Sequence, residues 1–165
     1  MMKALDIAKY FLDKDPERRY FTYIPITRNG LTFYDGNAKI NKFLHLAQVL
    51  YIAKYGKLLM EDVFYAFANG AVVEDVQKAF NSTLHKPTEY GVSFDTETND
   101  FLDRVYFMLQ NASVDDLIDL SHEDDEWDMK NIQRKKAEQQ MDFMPHIDTY
   151  KKQYADALSY IYKAV

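Results

Sequence analysis

No cysteine occurs in the chain, so disulfides, thiolate metal ligands and a cysteine nucleophile are all excluded. The composition suits a reducing compartment. Glycine is scarce, and the five glycines (Gly30, Gly36, Gly56, Gly70 and Gly91) stand apart from one another. A glycine-rich phosphate loop is therefore missing, and the five read as turn residues. No stretch approaches the roughly 18 consecutive apolar residues of a membrane span. The first residues, punctuated by Lys3, Asp6 and Lys9, lack the unbroken apolar core of a signal peptide, and a cytoplasmic location is expected. Excess positive charge is absent too: the formal net charge is −6 and the pI about 5.2. Phosphate backbones are bound through concentrated Lys and Arg, so no nucleic-acid partner is expected.

Catalytic signatures are equally thin. The four histidines, His45, His85, His122 and His146, are far apart in sequence, and no HExxH or GxSxG pattern occurs. Only His122 has dense acidic company, in Ser121 to Asp128. The EF-hand glycine and terminal bidentate glutamate are missing from that run. Acids at a helix start complement the macrodipole, so a solvated helix start is the expectation, with no metal, no cofactor and no catalytic residue. An enzyme using His122 with Glu123 or Asp124 as acid and base is the remaining catalytic alternative.

The residues present predict one all-α domain over residues 1–165, with about six to seven helices and a small β-hairpin near residues 20–35, inserted at about 19–36. Leu5, Ala8, Phe11 and Leu12 recur at helical spacing in Met2 to Lys14, and Asp15-Pro16 ends that helix. Asn29-Gly30 between aromatic and β-branched residues marks the hairpin turn, with Pro25 keeping its strand at an edge. Ile40 to Tyr55 is apolar almost all round and should be the buried central helix, stopped by Gly56. Its polar line, Asn41, His45 and Gln48, is expected to be satisfied by neighbouring backbone. Glu61 to Ala68 reads as a short helix ended by Asn69-Gly70, and Val72, Val73, Val76, Ala79 and Phe80 mark the next. Ser82 to Asn99 reads as a loop. Phe101 to Leu109 resumes helical spacing, and Ser113 with Asp116 forms a capping box. A polar, basic helix through Gln140 and a last helix over about 145–163 complete the reading, with Pro145 in the first turn of the latter.

Surface composition points to protein binding. Eight acids and no Lys or Arg lie between Ser113 and Asp128, and Lys130, Arg134, Lys135 and Lys136 follow. Such a reversal serves either a solvated, internally paired face (Arg134 with Glu138, for example) or a charge-complementary partner. Thirteen tyrosines and eleven phenylalanines exceed what a helical core of this size needs, and aromatic residues are enriched at interfaces. Tyr20, Tyr23, Phe33 and Tyr34 on the hairpin either form an exposed patch or roof the core.

Three stretches, in order, resemble the Panacea domain, a family of phage-associated proteins and of antitoxins in toxin–antitoxin pairs. The first is LDIAKYFLDK followed, after an insertion, by KINKFLHLAQVLYIAKYGKLL, with Lys42, Leu44, Ala47, Gln48, Tyr51 and Gly56 in the matching places. The second is EDVFYAFANGAVVEDVQKAF, where Gly70, Val72, Val73 and Val76 match while Asn69 and Ala71 replace the usual tyrosine and proline. The third is FLDRVYFMLQNASVDDLIDLSHEDDEW, carried by Leu117, Leu120, Ser121, His122 and Trp127. The resemblance implies an all-α fold and a non-catalytic antitoxin that binds a cognate toxin directly, or presents it to a protease. An inhibitor or adaptor encoded by a phage or mobile element and acting on a host protein is the alternative. Self-association stays open. The partner-binding residues expected on this basis are Tyr23, Phe33 and Tyr34 on the hairpin, Gly70, Val72, Val73 and Glu74 in the second stretch, and His122 and Trp127 in the third. The hairpin and the tyrosine-rich last helix are not part of the family pattern, and such accessory parts would choose the partner.

Overall fold

Helix α2 (Asp35–Tyr55) forms the axis of the molecule, and its central residues from Ile40 to Leu50 are all buried. The computed structural model describes residues 1–163, so the last two residues of the expected domain lie outside the described part. Helix α1 (Ala4–Leu12) packs its Leu12, Phe11 and Ile7 face on α2, where the Phe11 ring meets Phe43 edge-on at 5.5 Å. The Asp15 carboxylate then accepts from the backbone N–H groups of Arg19, Tyr20 and Phe21 at 2.8–2.9 Å. This fixes how the chain leaves α1 and enters the first hairpin.

Strands β1 (Pro25–Arg28) and β2 (Leu31–Tyr34) pair antiparallel with Ile26 opposite Phe33. Asn29 and Gly30, at φ 52° and 75°, make the turn, as their tolerance of positive φ predicts. Helix α2 starts five residues earlier than the apolar pattern suggests. Gly36 allows this by bringing α2 against the Phe21–Thr22 backbone, where a Cβ would overlap main-chain atoms.

The expected helix at Glu61 to Ala68 is not formed. In its place β3 (Tyr65–Phe67) and β4 (Gly70–Val72) make a second antiparallel hairpin, with Tyr65 opposite Val72. Asn69-Gly70 is its turn rather than a helix stop, and the aromatic and β-branched flanks suit strands. Helix α3 (Glu74–Ala79) follows and runs on as a π-helical turn over Phe80–Leu84, shortening the expected loop. Asp95 caps α4 (Thr96–Leu109) by accepting from Thr98 N–H at 2.8 Å. Both bonds of the Ser113–Asp116 capping box are present at the start of α5 (Val114–His122).

Helix α6 (Asp125–Asn131) ends well short of Gln140, because the basic stretch buries nothing: the 3₁₀ turn Lys136–Gln139 has no buried residue. The last helix is divided into α7 (Ile147–Gln153) and α8 (Ala155–Ile161), after a 3₁₀ turn that contains Pro145. The division falls at Tyr154, yet Tyr154 N–H still donates to Tyr150 O and Leu158 N–H to Tyr154 O, each at 2.9 Å. The axis bends there without ending. The all-α reading therefore holds in outline, with eight helices instead of six to seven and two hairpins instead of one among the described residues. No helix among the described residues is long and apolar enough to cross a membrane.

Candidate functional site

The two hairpins meet at their tips beside the N-terminal half of α2. Asn29 Nδ2 donates to Asn69 Oδ1 at 2.8 Å, and Asn69 Nδ2 donates to Arg28 O at 3.3 Å. The Arg28 guanidinium reaches across to Asp115 on α5 in a two-pronged pair at 2.7 and 3.2 Å. Beneath this junction lies a pocket of about 280 Å³ walled by Phe33 on β2, Asn37 and Asn41 on α2, and Phe67, Gly70 and Val72 of the second hairpin. Leu31, at 52% exposure, stands at its lining with little else covering it.

Lys42 belongs to the same lining and is 2% exposed. Its ammonium makes no hydrogen bond or ion pair among the described residues, and burial alone pushes its pKa down from 10.5 to about 7. Gly70 lies directly over it. A Cβ at Gly70 would overlap Lys42 Cε and come within 2.6 Å of Lys42 Nζ and 2.9 Å of Ser121 Oγ, and the backbone sits at φ +121°. Space and backbone conformation both demand glycine here.

The polar line of α2 divides by function. Asn41 Oδ1 accepts from Val73 N–H at 2.9 Å, fixing the exit of β4. The Gln48 amide binds Leu59 N–H, Met60 N–H and Met60 O, and so holds the chain after α2. His45 finds a side chain instead of backbone: Nε2 lies 2.7 Å from Asp124 Oδ2, with both residues fully buried. Asp124 Oδ1 accepts from Tyr150 OH at 2.7 Å and from Glu126 N–H at 3.0 Å. Burial raises the Asp124 carboxyl pKa, but the hydrogen bonds and charge of His45, with the Tyr150 hydroxyl, outweigh it and hold the group below the ordinary carboxylate range. Burial, then the Asp124 charge, pushes the Tyr150 phenol far up. Together these three side chains tie α2, α6 and α7.

The acidic run does start a helix, α6 with Asp124 as its N-cap, but it is not solvated throughout as expected. Asp124 and Glu126 are buried, and Glu126 accepts from Asp142 N–H at 2.7 Å and lies 2.9 Å from His146 Nε2. Lys130 and Lys136 pair with Glu126 and Glu74 at 3.1 and 2.6 Å, whereas Arg134 and Glu138 form no ion pair among the described residues. His122 stacks on Trp127 with ring centres 3.9 Å apart and planes 9° from parallel. Burial, then the nearby Lys42 charge, lowers its pKa. His122 hydrogen-bonds neither Glu123 nor Asp124, and its Nε2 is buried without a partner. The acid–base pair of the catalytic alternative is not assembled. No group of three or more His, Asp or Glu side chains among the described residues is placed to hold a metal.

The expected partner-binding residues divide into two groups. Phe33, Gly70 and Val72 share the pocket wall. Buried Val73 anchors β4 through Asn41, Glu74 holds Lys136, and Trp127 donates from Nε1 to Phe67 O at 3.0 Å, bracing the second hairpin from behind. On the outer side Tyr23, 40% exposed, is sandwiched between Tyr34 at 3.7 Å and His85 at 3.8 Å. Tyr20 belongs to the core edge, where its hydroxyl donates to Ala112 O at 2.5 Å. Lys42 was overlooked as a site residue. Its signal in the sequence was a lysine between Ile40 and Phe43 that stands off the polar line of Asn41, His45 and Gln48.

A family model described as Antitoxin SocA-like, Panacea domain, matches residues 40–128, just over half of the chain. No curated protein and no solved structure matches the chain. The matched span contains Lys42, Gly70, Ser121, His122 and Trp127, which the fold gathers around the second hairpin. Helix α1, the first hairpin, α7 and α8 lie outside it.

Proposed function

The chain belongs to the SocA-like antitoxin family built on the Panacea domain, and from this premise we propose that it neutralises a protein toxin by direct binding, in the cytoplasm and without catalysis. The observation that carries the reading is the pocket between the two hairpins. One wall, with Gly70 and Val72, comes from the family span, and the other, with Leu31 and Phe33, comes from the accessory hairpin. A shared receptor surface with a variable wall is what an antitoxin needs if its common core supports binding while an appended element selects the toxin. Exposed Leu31, Ile24 and Tyr23 on the first hairpin supply apolar contact area on that side. The acids of α5, linked to the hairpin through Arg28–Asp115, add a negative flank that favours encounter with a basic partner.

Co-expression with the protein encoded beside this one tests the proposal. The expected result is that the neighbour alone arrests growth, that co-expression restores it, and that native mass spectrometry of the purified pair gives a defined stoichiometric complex. A neighbour that is harmless, or toxicity that this chain leaves unchanged with no complex formed, overturns it. Replacing Leu31 and Phe33 together by Ser should abolish rescue while the melting temperature changes little, since both side chains are at least partly exposed.

A further inference from the structure

The pocket between the hairpins holds a buried cation with no counter-charge. Lys42 is 2% exposed, lines the pocket and pairs with no acid or carbonyl among the described residues. The rest of the lining brings no charge of either sign: it consists of Thr32, three asparagines, Gln77 and apolar side chains. All three asparagine amides are already engaged as donors, Asn69 Nδ2 to Arg28 O. Asn37 Nδ2 donates to Gln77 O and Asn81 Oδ1, and Asn41 Nδ2 donates to Asn37. Among the described residues the Gln77 side-chain amide has no hydrogen-bond partner, so the lining brings one ammonium and one free amide.

We propose that this pocket is the receptor for a single carboxylate of the bound protein partner, a chain terminus or an acidic side chain, with Lys42 as its counter-ion and Gln77 as its second donor. One monoanion neutralises one ammonium. A phosphate dianion would bring a second charge that nothing in the lining offsets, so the chemistry selects a carboxylate. A volume of about 280 Å³ admits a side chain or a terminal residue and little more. Phe33, Phe67 and Val72 supply the apolar walls for the carbon stem of that residue. The source is a protein because the mouth is framed by hairpin tips and exposed Leu31, surfaces that a small ion would leave uncovered. The inference rests on the antitoxin reading for the identity of the partner, but the site itself is testable without it.

The intact protein, labelled with ¹³C at lysine Cε, is titrated with acetyl-leucyl-phenylalanine, with the C-terminal amide of the same dipeptide, and with sodium acetate. The free acid is expected to move the Lys42 resonance and to bind at least tenfold more tightly than the amide. That difference should vanish in Lys42→Met and shrink in Gln77→Leu, with thermal melts verifying that both variants fold. Acid and amide binding alike, or a Lys42 resonance that neither moves, overturns the proposal. Acetate binding as tightly as the dipeptide acid assigns the pocket to a free small carboxylate and overturns the protein source. With a toxin in hand, Lys42→Met should weaken the complex at least tenfold. A toxin held equally well by Lys42→Met removes the carboxylate receptor and leaves the antitoxin reading standing. A dipeptide acid seated on Lys42 in a protein that neutralises no toxin does the reverse.

Discussion

Replacing Lys42 by Met should make the protein more stable, and by an amount that depends on pH. Burial without a counter-charge lowers the Lys42 pKa from 10.5 to about 7, and the gap, at about 1.4 kcal/mol per pH unit, corresponds to about 4–5 kcal/mol of destabilisation. The folded state binds the proton less well than the unfolded state. The cost is therefore fully present below about pH 7, and it is released as the pH rises from there towards the unfolded value near 10.5. Methionine keeps the length of the stem and removes the charge, and exchanging buried ions for apolar residues of similar volume gains roughly 1–4 kcal/mol. At about pH 6.5 the variant should gain about 2–4 kcal/mol, or about 4–16 °C in Tm for a domain of this size. Urea unfolding of both proteins at steps from about pH 6 to about pH 9.5 gives the measurement; subtracting one from the other removes the tyrosines they share but not His122, whose pKa Lys42 lowers, so the slope is read above about pH 7.5, where that imidazole is neutral in both. The stability difference should shrink steadily above about pH 7. A variant that is no more stable at low pH, or a difference that stays constant to about pH 9.5, would refute the claim that Lys42 is an uncompensated buried cation.

Gly70→Ala should cost about 2 kcal/mol or more in urea unfolding, since it combines strain at φ +121° with overlap on Lys42. Lys42→Ala in the same chain should return part of the loss, and strict additivity would disprove the contact. Asp124→Asn should cost about 3 kcal/mol or more, because it weakens a buried His45–Tyr150 acceptor. Since the Asp124 pKa is depressed, its contribution is present above the unfolded value near 4 and fades as the pH drops through the folded value. The variant's acid unfolding curve should accordingly be flatter below about pH 4, and an unchanged curve would contradict the assignment. Arg28→Ala should leave the Tm nearly unchanged, because the Arg28–Asp115 pair is solvent-exposed. It should still weaken the toxin complex, as measured by titration calorimetry, by freeing the first hairpin from α5.

Local chemistry made parts of this fold legible. The apolar circumference of α2 announced its central place, Asn29-Gly30 announced the first turn, and the Ser113–Asp116 spacing announced the start of α5. The second hairpin was misread because Asn-Gly serves both as a helix terminator and as a hairpin turn, and residues 61–68 are too short for periodicity to decide. Asp124 and Lys42 were hidden for a different reason. The acid is buried by His45, 79 positions earlier in the chain, and by Tyr150. The lysine is covered by Gly70 and Ser121, and no window along the sequence contains those neighbours together. The family resemblance supplied what local reading did not, since its three stretches hold Lys42, Gly70, Ser121, His122 and Trp127, which meet only in the fold.

The amide pair at the hairpin tips also gives the molecule a chemical clock. Asn29 and Asn69, which hydrogen-bond each other across the mouth of the pocket, are both followed by glycine. An asparagine before glycine is the least hindered site for its side chain to be attacked by the next backbone nitrogen, expelling ammonia and closing to an imide that water opens to aspartate or isoaspartate. A single such event converts a donor–acceptor pair into an amide facing a carboxylate, and a second sets two negative charges against each other where the hairpins touch. Stored protein would therefore keep the contact after one such event, as an amide donating to a carboxylate, and lose it only in molecules old enough to have converted both.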